Sequence, residues 1–384
     1  MNVSSSRFLF AVLVLSLIIP LPVARVNANG LITIIANPGT FGTIETAAVS
    51  EEQVNWWDDD QTDDNACTES FAAIELQNLL PHCSDYQKQD IQLAKIQHIP
   101  STGHVFLLGT SVSNPLINSP HISQDRKAEL DSKESFHIRS FQQDQRVITI
   151  ITGGGRVGVL YGIYAYLEQL GMRFFGLDRQ GTVYPEKSGN LPADLNLIES
   201  PHYLTRGFFI SEDLGDEPFF LWMARNRLNF WTADVKKYHF LKKLGMKLTA
   251  GHHDIQKRFI NFSDEYPYNY PQYQGDETKP RDPYSPSPEY LGDVNNDDKL
   301  TYAEAHPEWY IMLGGKREAH KHKRFRGNYC TSNLDATHEL AKNLIQCLID
   351  GQWSHVDTIN FYMLDGGAWC QCQNCRKLGT PTDR

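Results

Sequence analysis

The stretch 146–185, RVITIITGGGRVGVLYGIYAYLEQLGMRFFGLDRQGTVYP, limits most tightly what this chain can fold into. Residues 147–151 are all β-branched and read as a strand, which Gly153, Gly154 and Gly155 end. Val159, Leu160, Ile163, Tyr164, Leu167 and Leu170 then recur at three- and four-residue spacing. That period puts them on one face of a helix over 157–170, which Gly171 stops. A second strand-like run follows at 172–177. Strand, tight turn, helix and strand in direct succession call for a mixed α/β arrangement.

The same glycines, with Arg156, Val157 and Gly158, fit G-x-G-x-x-G. Asp178 stands where the ribose-binding acid of a dinucleotide site belongs. That fingerprint sits on a chain's first strand-to-helix turn, whereas strand and helix runs come earlier here. The chain also carries an export signal, and nicotinamide cofactors are scarce outside the cytoplasm. The glycines are therefore read as a turn, since glycine accepts φ > 0 without steric cost, and no NAD is expected.

Residues 1–28 read as a secretory signal. Arg7 gives the positive charge, and residues 8–19 form an apolar core too short for a good bilayer span. Val26-Asn27-Ala28 has small residues at the spacing of a cleavage site. The expected location is secreted, periplasmic or at a cell surface, with no membrane span after signal removal. Export permits disulfides. The 7 cysteines are an odd number, so at least one is free, metal-bound or paired outside the chain. A formal net charge of −10 implies no basic surface for a nucleic-acid partner.

Residues 29–201 read as a small α+β domain. Runs at 31–36 and 105–108 are strand-like, and 136–141 with 146–152 alternate like a hairpin. Residues 66–80 read as a helix bracketed by Cys67 and Cys83, either a disulfide or two inert thiols. The acidic run before it, Asp58, Asp59, Asp60, Asp63 and Asp64, reads as a solvated loop. The order suits a mixed sheet with helices on one face. The polar, proline-bearing segment 188–201 reads as a linker.

From residue 202, strand-like runs (203–211, 228–232, 246–250, 358–364) alternate with helical ones (218–226, 236–244, 334–349). Such βα units point to a (β/α)8-type barrel. About four strands precede Arg384, and strand number and tilt forbid closure on four. The expectation is an incomplete barrel over 202–384, with an insertion at about 254–330 and its C-terminal half missing or supplied by a partner. An open α/β sheet is the structural alternative. Groups just past strand C-termini face a barrel's site. That rule selects Glu212 and Asp213, then Asp234, then His252 and His253, then Asp365.

Two clusters suggest metals. The run 293–304, DVNNDDKLTYAE, fits the twelve-residue calcium loop of an EF-hand. Asp293, Asn295, Asp297 and Thr301 supply oxygens, Lys299 its carbonyl, and Glu304 a bidentate carboxylate. Asp298 replaces the usual glycine at position 6, and aspartate tolerates the left-handed conformation. The expected cofactor is a structural calcium ion. Cys370, Cys372 and Cys375, with Cys330 or a histidine, make either a tetrahedral zinc site or disulfides. Cys347, within a helix, reads as core. The tyrosine- and proline-rich segment 266–290 reads as an ordered surface insertion that helps bind glycan.

Several of these segments carry a family resemblance. Gly158 to Gly162, then Leu170-Gly171-Met172-Arg173-Phe174, resembles the non-catalytic α+β domain that precedes the barrel in glycoside hydrolase family 20 and in α-glucuronidases. The segment WMARNRLN at 222–229, His306-Pro307-Glu308-Trp309, Gly315-Lys316-Arg317, Cys330-Thr331, and Asp365 with its following cysteines resemble an uncharacterised group of secreted bacterial proteins with a DUF4838 barrel. The resemblance spans roughly 66–375 and implies a carbohydrate-active enzyme.

In related barrel hydrolases the general acid follows strand four, which makes Asp365 the candidate acid or substrate contact. Family 20 has an Asp-Glu pair there; Gly366 replaces the Glu, which favours the α-glucuronidase comparison. Trp309 and Trp369 are candidate sugar-stacking faces. Arg206 and Arg225 are candidates to hold a uronate carboxylate through bidentate pairing. His252, His253, His306 and Glu308 complete the candidate substrate contacts. The reading is a glycoside hydrolase acting on O-glycosyl bonds of a polysaccharide or oligosaccharide, uronic-acid-containing ones included. The alternative is a non-catalytic, calcium-dependent glycan-binding or cell-surface protein on a hydrolase scaffold. A second carboxylate facing Asp365, at about 5 Å for retention or about 6.5–9.5 Å for inversion, separates the two.

Overall fold

The computed structural model describes residues 30–119, 130–177, 179–187, 190–208, 215–232, 237–253, 255–273, 277–321, 327–365 and 367–379. The signal segment, Asp178, Glu212, Asp213, Asp234 and Gly366 lie outside the described residues.

Strand β1 (Ile32–Ala36) leads through the single-turn helix α1 (Ile44–Ala47) to the long helix α2 (Gln61–Leu79). α2 begins earlier than its apolar periodicity suggests. The Asp60 side chain accepts from the Thr62 N–H, and Asp63 and Asp64 lie in the first turn. The acidic run is thus a helix start, with carboxylates at the positive end of the helix dipole. Strands β2 (Ile91–Lys95) and β3 (Thr102–Leu108) follow. The hairpin of β4 (Phe136–Gln143) and β5 (Gln145–Gly153) turns at Asp144, where φ is 54°.

Helix α3 (Arg156–Gln169) leaves the glycine turn. The expected strand at 172–177 shrinks to a two-residue pairing of β6 (Arg173–Phe174) with β7 (Thr182–Val183). The expected linker is in part a strand, β8 (Leu195–Glu199), hydrogen-bonded antiparallel to β4. The six-stranded sheet runs β2-β1-β3-β5-β4-β8. β2, β1, β3 and β5 are parallel, and β4 is antiparallel to both neighbours. An antiparallel strand beside β5 sets this sheet apart from the doubly wound order of a dinucleotide fold.

The glycines at 153–158 answer a packing demand. A Cβ on Gly154 would sit 2.1 Å from the Ser132 carbonyl oxygen, and one on Gly158 2.3 Å from that of Ser135. Backbone 132–135 therefore crosses the turn at a distance only glycine allows.

α3 is buried on every side from Gly158 to Leu167, more than its one apolar face predicts. Sheet residues Phe106, Ile138 and Ile151 and α2 residues Ala72, Ala73 and Leu76 belong to its core. So do residues of α4 (Glu217–Arg225), β9 (Phe230–Thr232), α5 (Tyr238–Lys243) and β10 (Lys247–Ala250). One continuous core thus joins the N-terminal sheet to the first βα units. The remaining elements are α6 (Ile255–Phe259), α7 (Tyr302–Ala305), α8 (Leu334–Ile349), β11 (Thr358–Ile359) and α9 (Gln373–Lys377).

β9, β10 and β11 form a parallel sheet in sequence order, and Gly207 adds a parallel bridge to Phe230. This is the succession expected of a barrel's first strands, but among the described residues the series is open. Of the expected strand at 203–211, only Gly207 bridges among the described residues, and that at 358–364 shortens to Thr358–Ile359. No helix among the described residues is long and apolar enough to cross a membrane. Cys67 and Cys83 are free buried thiols, not a disulfide. Burial pushes them up, to about 12 and about 11.

Glu69 on α2 is fully buried. Its Oε1 accepts from the Thr110 N–H (3.1 Å) and the Ser113 hydroxyl (2.7 Å), while Oε2 has no partner. Burial raises its pKa from 4.5 to about 7, although both hydrogen bonds act the other way. With the folded pKa above the unfolded one, Glu69 costs nothing below the unfolded value and destabilises progressively as pH rises through the folded one. At about 1.4 kcal/mol per pKa unit, the loss approaches roughly 3 kcal/mol above neutrality. Glu69→Gln is expected to flatten this decline in urea denaturation series across that range. Parallel pH profiles for the two proteins would refute it.

Candidate functional site

The loops after β10 and β11 are pressed together. Gly251 has φ +77°, and a Cβ there would lie 2.4 Å from the Asn360 carbonyl oxygen. The Asn360 N–H donates to the Ala250 carbonyl at 2.7 Å. His252 and His253 follow directly, their rings edge-on at 4.3 Å. Tyr362, from the other loop, meets His253 at 5.5 Å and His252 at 6.4 Å between ring centres. His253 Nδ1 lies 2.8 Å from the Met363 carbonyl oxygen. A carbonyl only accepts, so Nδ1 carries a proton and donates to it.

Asp365 is exposed at the tip of a turn closed by the Gly367 N–H on the Leu364 carbonyl at 2.9 Å. Asn328, fully buried, anchors this turn. Its Oδ1 accepts from the Leu364 N–H (2.7 Å) and its Nδ2 donates to the Ala368 carbonyl (3.2 Å). Trp369 is half-buried just beyond. His252, His253 and Asp365 thus occupy neighbouring strand-end loops. Tyr362 and Asn328 escaped the sequence reading. Tyr362 lay inside a run taken for strand, and an asparagine holding a distant turn leaves no local signal.

The other candidate contacts belong elsewhere. Arg225 is bidentate on Glu75, with Nε–Oε2 at 3.1 Å and Nη2–Oε1 at 3.3 Å, and Glu75 also accepts from the Tyr164 hydroxyl at 3.0 Å. Arg206 pairs with Glu134 and donates to the Arg227 carbonyl at 2.9 Å. Both arginines fasten the N-terminal sheet domain to the following units, so their forks are engaged. Trp309 has no exposed surface and cannot stack on a sugar; His306 lies flat against it at 4.3 Å.

His306 is also buried, held by the Tyr266 hydroxyl on Nε2 (2.9 Å) and Glu308 on Nδ1 (2.8 Å). Burial pushes the Glu308 carboxyl up, but hydrogen bonds from His306 and Ser287 outweigh it and hold the group below its ordinary range. The expected surface insertion is itself a core. Tyr266, Tyr268, Tyr270, Tyr302 and Trp309 pack together. The hydroxyls of Tyr268, Tyr284 and Tyr302 converge on the buried Glu339 carboxylate at 2.8–2.9 Å.

In the loop 293–304, Asp298 takes the left-handed conformation that position 6 demands, at φ 60°. Leu300 is buried, and Glu304 closes a capping box with Thr301. The carboxylates of Asp293 and Asp297 accept loop N–H groups, Asp298 N to Asp293 at 2.8 Å and Lys299 N to Asp297 at 3.1 Å. Asn295 bonds Asp297 at 2.8 Å.

Cys330, Cys370, Cys372 and Cys375 come together, their sulfurs all within 4.8 Å of one another. They are the group among the described residues whose ligand atoms converge as a metal requires. All four are free thiols.

A cleft of about 480 Å³ opens elsewhere, lined in part by Gln61, Asn65, Thr110, Arg139 and Gly153 to Gly155. Its rim runs through Asn118 and Leu130, on either side of residues outside the description, and none of the sequence-predicted site residues lines it.

No protein-family model matches the chain, and no curated protein does. Among solved structures it is similar to a family GH115 4-O-methyl-α-glucuronidase with specificity for decorated arabinogalactans, at 15% identity and TM-score 0.37, covering 63% of this chain and 32% of that one. It is also similar to a GH138 enzyme targeting pectin rhamnogalacturonan II, at 12% identity and TM-score 0.29, covering 58% and 25%. The chain thus spans about a third or less of either protein's length, and the likeness is one of fold alone.

Because Arg225 holds a largely buried carboxylate, Arg225→Met strands Glu75 and is expected to cost about 3–5 kcal/mol in urea denaturation. A variant as stable as the parent protein would refute the structural role of the pair.

Proposed function

We propose that this is an exported carbohydrate-active protein whose sugar site lies at the C-terminal ends of β10 and β11. The observation that carries the reading is the meeting of His252, His253 and Tyr362 on two abutting loops of a parallel strand series, with Asp365 three residues beyond Tyr362 on the second. Parallel sheets bind ligands at that end. Tyr362, 42% exposed, offers an aromatic face to sugar C–H groups. The Asp365 carboxylate accepts from hydroxyls, and the His252 and His253 rings offer further polar contacts. The finer reading is hydrolysis of O-glycosidic bonds, uronic-acid-bearing polysaccharides included, with Asp365 as general acid or substrate contact. With Arg206, Arg225, His306, Glu308 and Trp309 engaged in the fold, substrate contact falls to the strand-end loops and Trp369.

Sugar release from uronic-acid and neutral polysaccharides by the exported protein tests this directly. Asp365 sits exposed on a turn, so Asp365→Asn is expected to fold normally and to lower kcat/KM by about 100-fold or more, the range of general acid catalysis. Release that survives the substitution would place the acid elsewhere. Retention on a glycan without release would favour the non-catalytic binding protein.

The reading also includes a structural calcium ion in the loop 293–304, held by Asp293, Asn295, Asp297, Thr301, Glu304 and the Lys299 carbonyl. The left-handed Asp298 and the buried Leu300 support it. Calcium at about 100 times its Kd should stabilise the fold by about 2.7 kcal/mol, read as a rise in Tm. Asp293→Ala should remove that rise. A Tm indifferent to calcium would exclude the ion.

A further inference from the structure

We infer that Cys330, Cys370, Cys372 and Cys375 bind one structural zinc ion that fixes the Asp365 loop against the start of α8. The sulfur of Cys330 lies 3.6 Å from that of Cys370, 3.8 Å from that of Cys372 and 3.7 Å from that of Cys375. Four sulfurs about 2.3 Å from a central zinc stand about 3.8 Å apart at the corners of a tetrahedron. A disulfide needs about 2.05 Å, so pairing any two would draw them together by well over an ångström and break the set.

The surroundings fit bound thiolates. The Met312 and Cys372 N–H groups donate to Cys370 at 3.3 and 3.5 Å, and the Cys375 N–H donates to Cys372 at 3.4 Å. Such N–H donors orient thiolate ligands and spread their charge. The Ser332 hydroxyl lies 3.5 Å from Cys330 and 3.6 Å from Cys372. Ile311, Met312 and Ala368 close the shell. Four protein ligands leave no open position, which marks a structural rather than a catalytic ion. Binding displaces the four thiol protons to solvent, with no change of oxidation state.

The ligands come from two segments. Cys330 stands just before α8, its carbonyl accepting from the Asn333 N–H at 2.8 Å. The other three follow the Asp365 turn and open α9, where Cys372 is the N-cap. Between β11 and α9 this loop has little regular structure, so the ion replaces the missing ladder as its anchor.

The test uses the exported protein purified without chelators. Elemental analysis is expected to give one zinc per chain. Alkylation after denaturation without reductant is expected to modify all four cysteines. Cys370→Ser/Cys375→Ser should lose the zinc, and Cys67→Ser/Cys83→Ser should keep it. Cobalt exchanged into the site should show the thiolate charge-transfer and d–d bands of a tetrahedral S4 centre. Disulfide-linked peptides among the four with no bound metal would overturn the inference. Iron in the same stoichiometry, or zinc that survives the cluster substitution, would overturn it as well. Should the cluster variant fail to accumulate, metal content and alkylation of the unaltered protein still decide. Each of these readouts is independent of sugar release.

Discussion

The core that joins the N-terminal sheet to α4, β9, α5 and β10 depends on burying α3 completely. A helix apolar on one face needs one layer against it, whereas a helix buried all round needs two. Here the mixed sheet supplies one and α2, α4 and β9 the other. Its three tyrosines show how the polar tips are managed. Tyr164 gives its hydroxyl to Glu75, and Tyr161 reaches the Leu228 carbonyl at 3.5 Å. Tyr166 is the exception: its ring sits edge-on to Phe106, and its buried hydroxyl has no hydrogen-bond partner. At the N-terminus of α3, Arg156 donates to the Lys242 carbonyl (2.9 Å) and to Thr68 (3.1 Å), joining three helices at one guanidinium. No hinge can be placed in such a core, which is why the presumed linker ends as a sheet strand.

The sequence disclosed the parts whose signals are local. α8 begins and ends at the bounds of the helical run 334–349, and the β-branched runs became β1 and β5. β2, only five residues long, was not picked out as a strand by the sequence reading; it pairs in parallel with β1. The strand-end candidates were picked by a topological rule that needs only strand order, and of these His252, His253 and Asp365 lie on the loops after β10 and β11. Arg225, Arg206, His306 and Trp309 were misassigned for one reason. An arginine or aromatic suited to a sugar is equally suited to a buried partner, and Glu75 lies 150 residues from Arg225. The cysteine cluster was legible as spacing, but only folding brings Cys330 to it.

The tyrosine-rich insertion shows a second way to build a core. Burying a phenol requires a partner for its hydroxyl. Glu339 meets that need three times over and in return has its own charge satisfied, with Lys342 at 2.9 Å and Asn343 at 3.2 Å adding to the shell. Burial and the neighbouring carboxylate hold the Tyr302 and Tyr284 phenols above their usual range, so they stay neutral donors. A network satisfied throughout specifies one packing arrangement, whereas an oily core of the same volume tolerates several. That rigidity sits directly behind the loops carrying His252 and Asp365.

β8 has a consequence for the molecule in solution. It is the outermost strand of the sheet, with a row of backbone groups on its far side that no described strand pairs. Such rows template the addition of a strand from another chain, and proteins blunt them with prolines, charges and short length. β8 has five residues, with Pro192 and Asp194 before it and Glu199 and Pro201 at its end. The residues that made this segment resemble a linker are the ones that keep its edge from recruiting a neighbour.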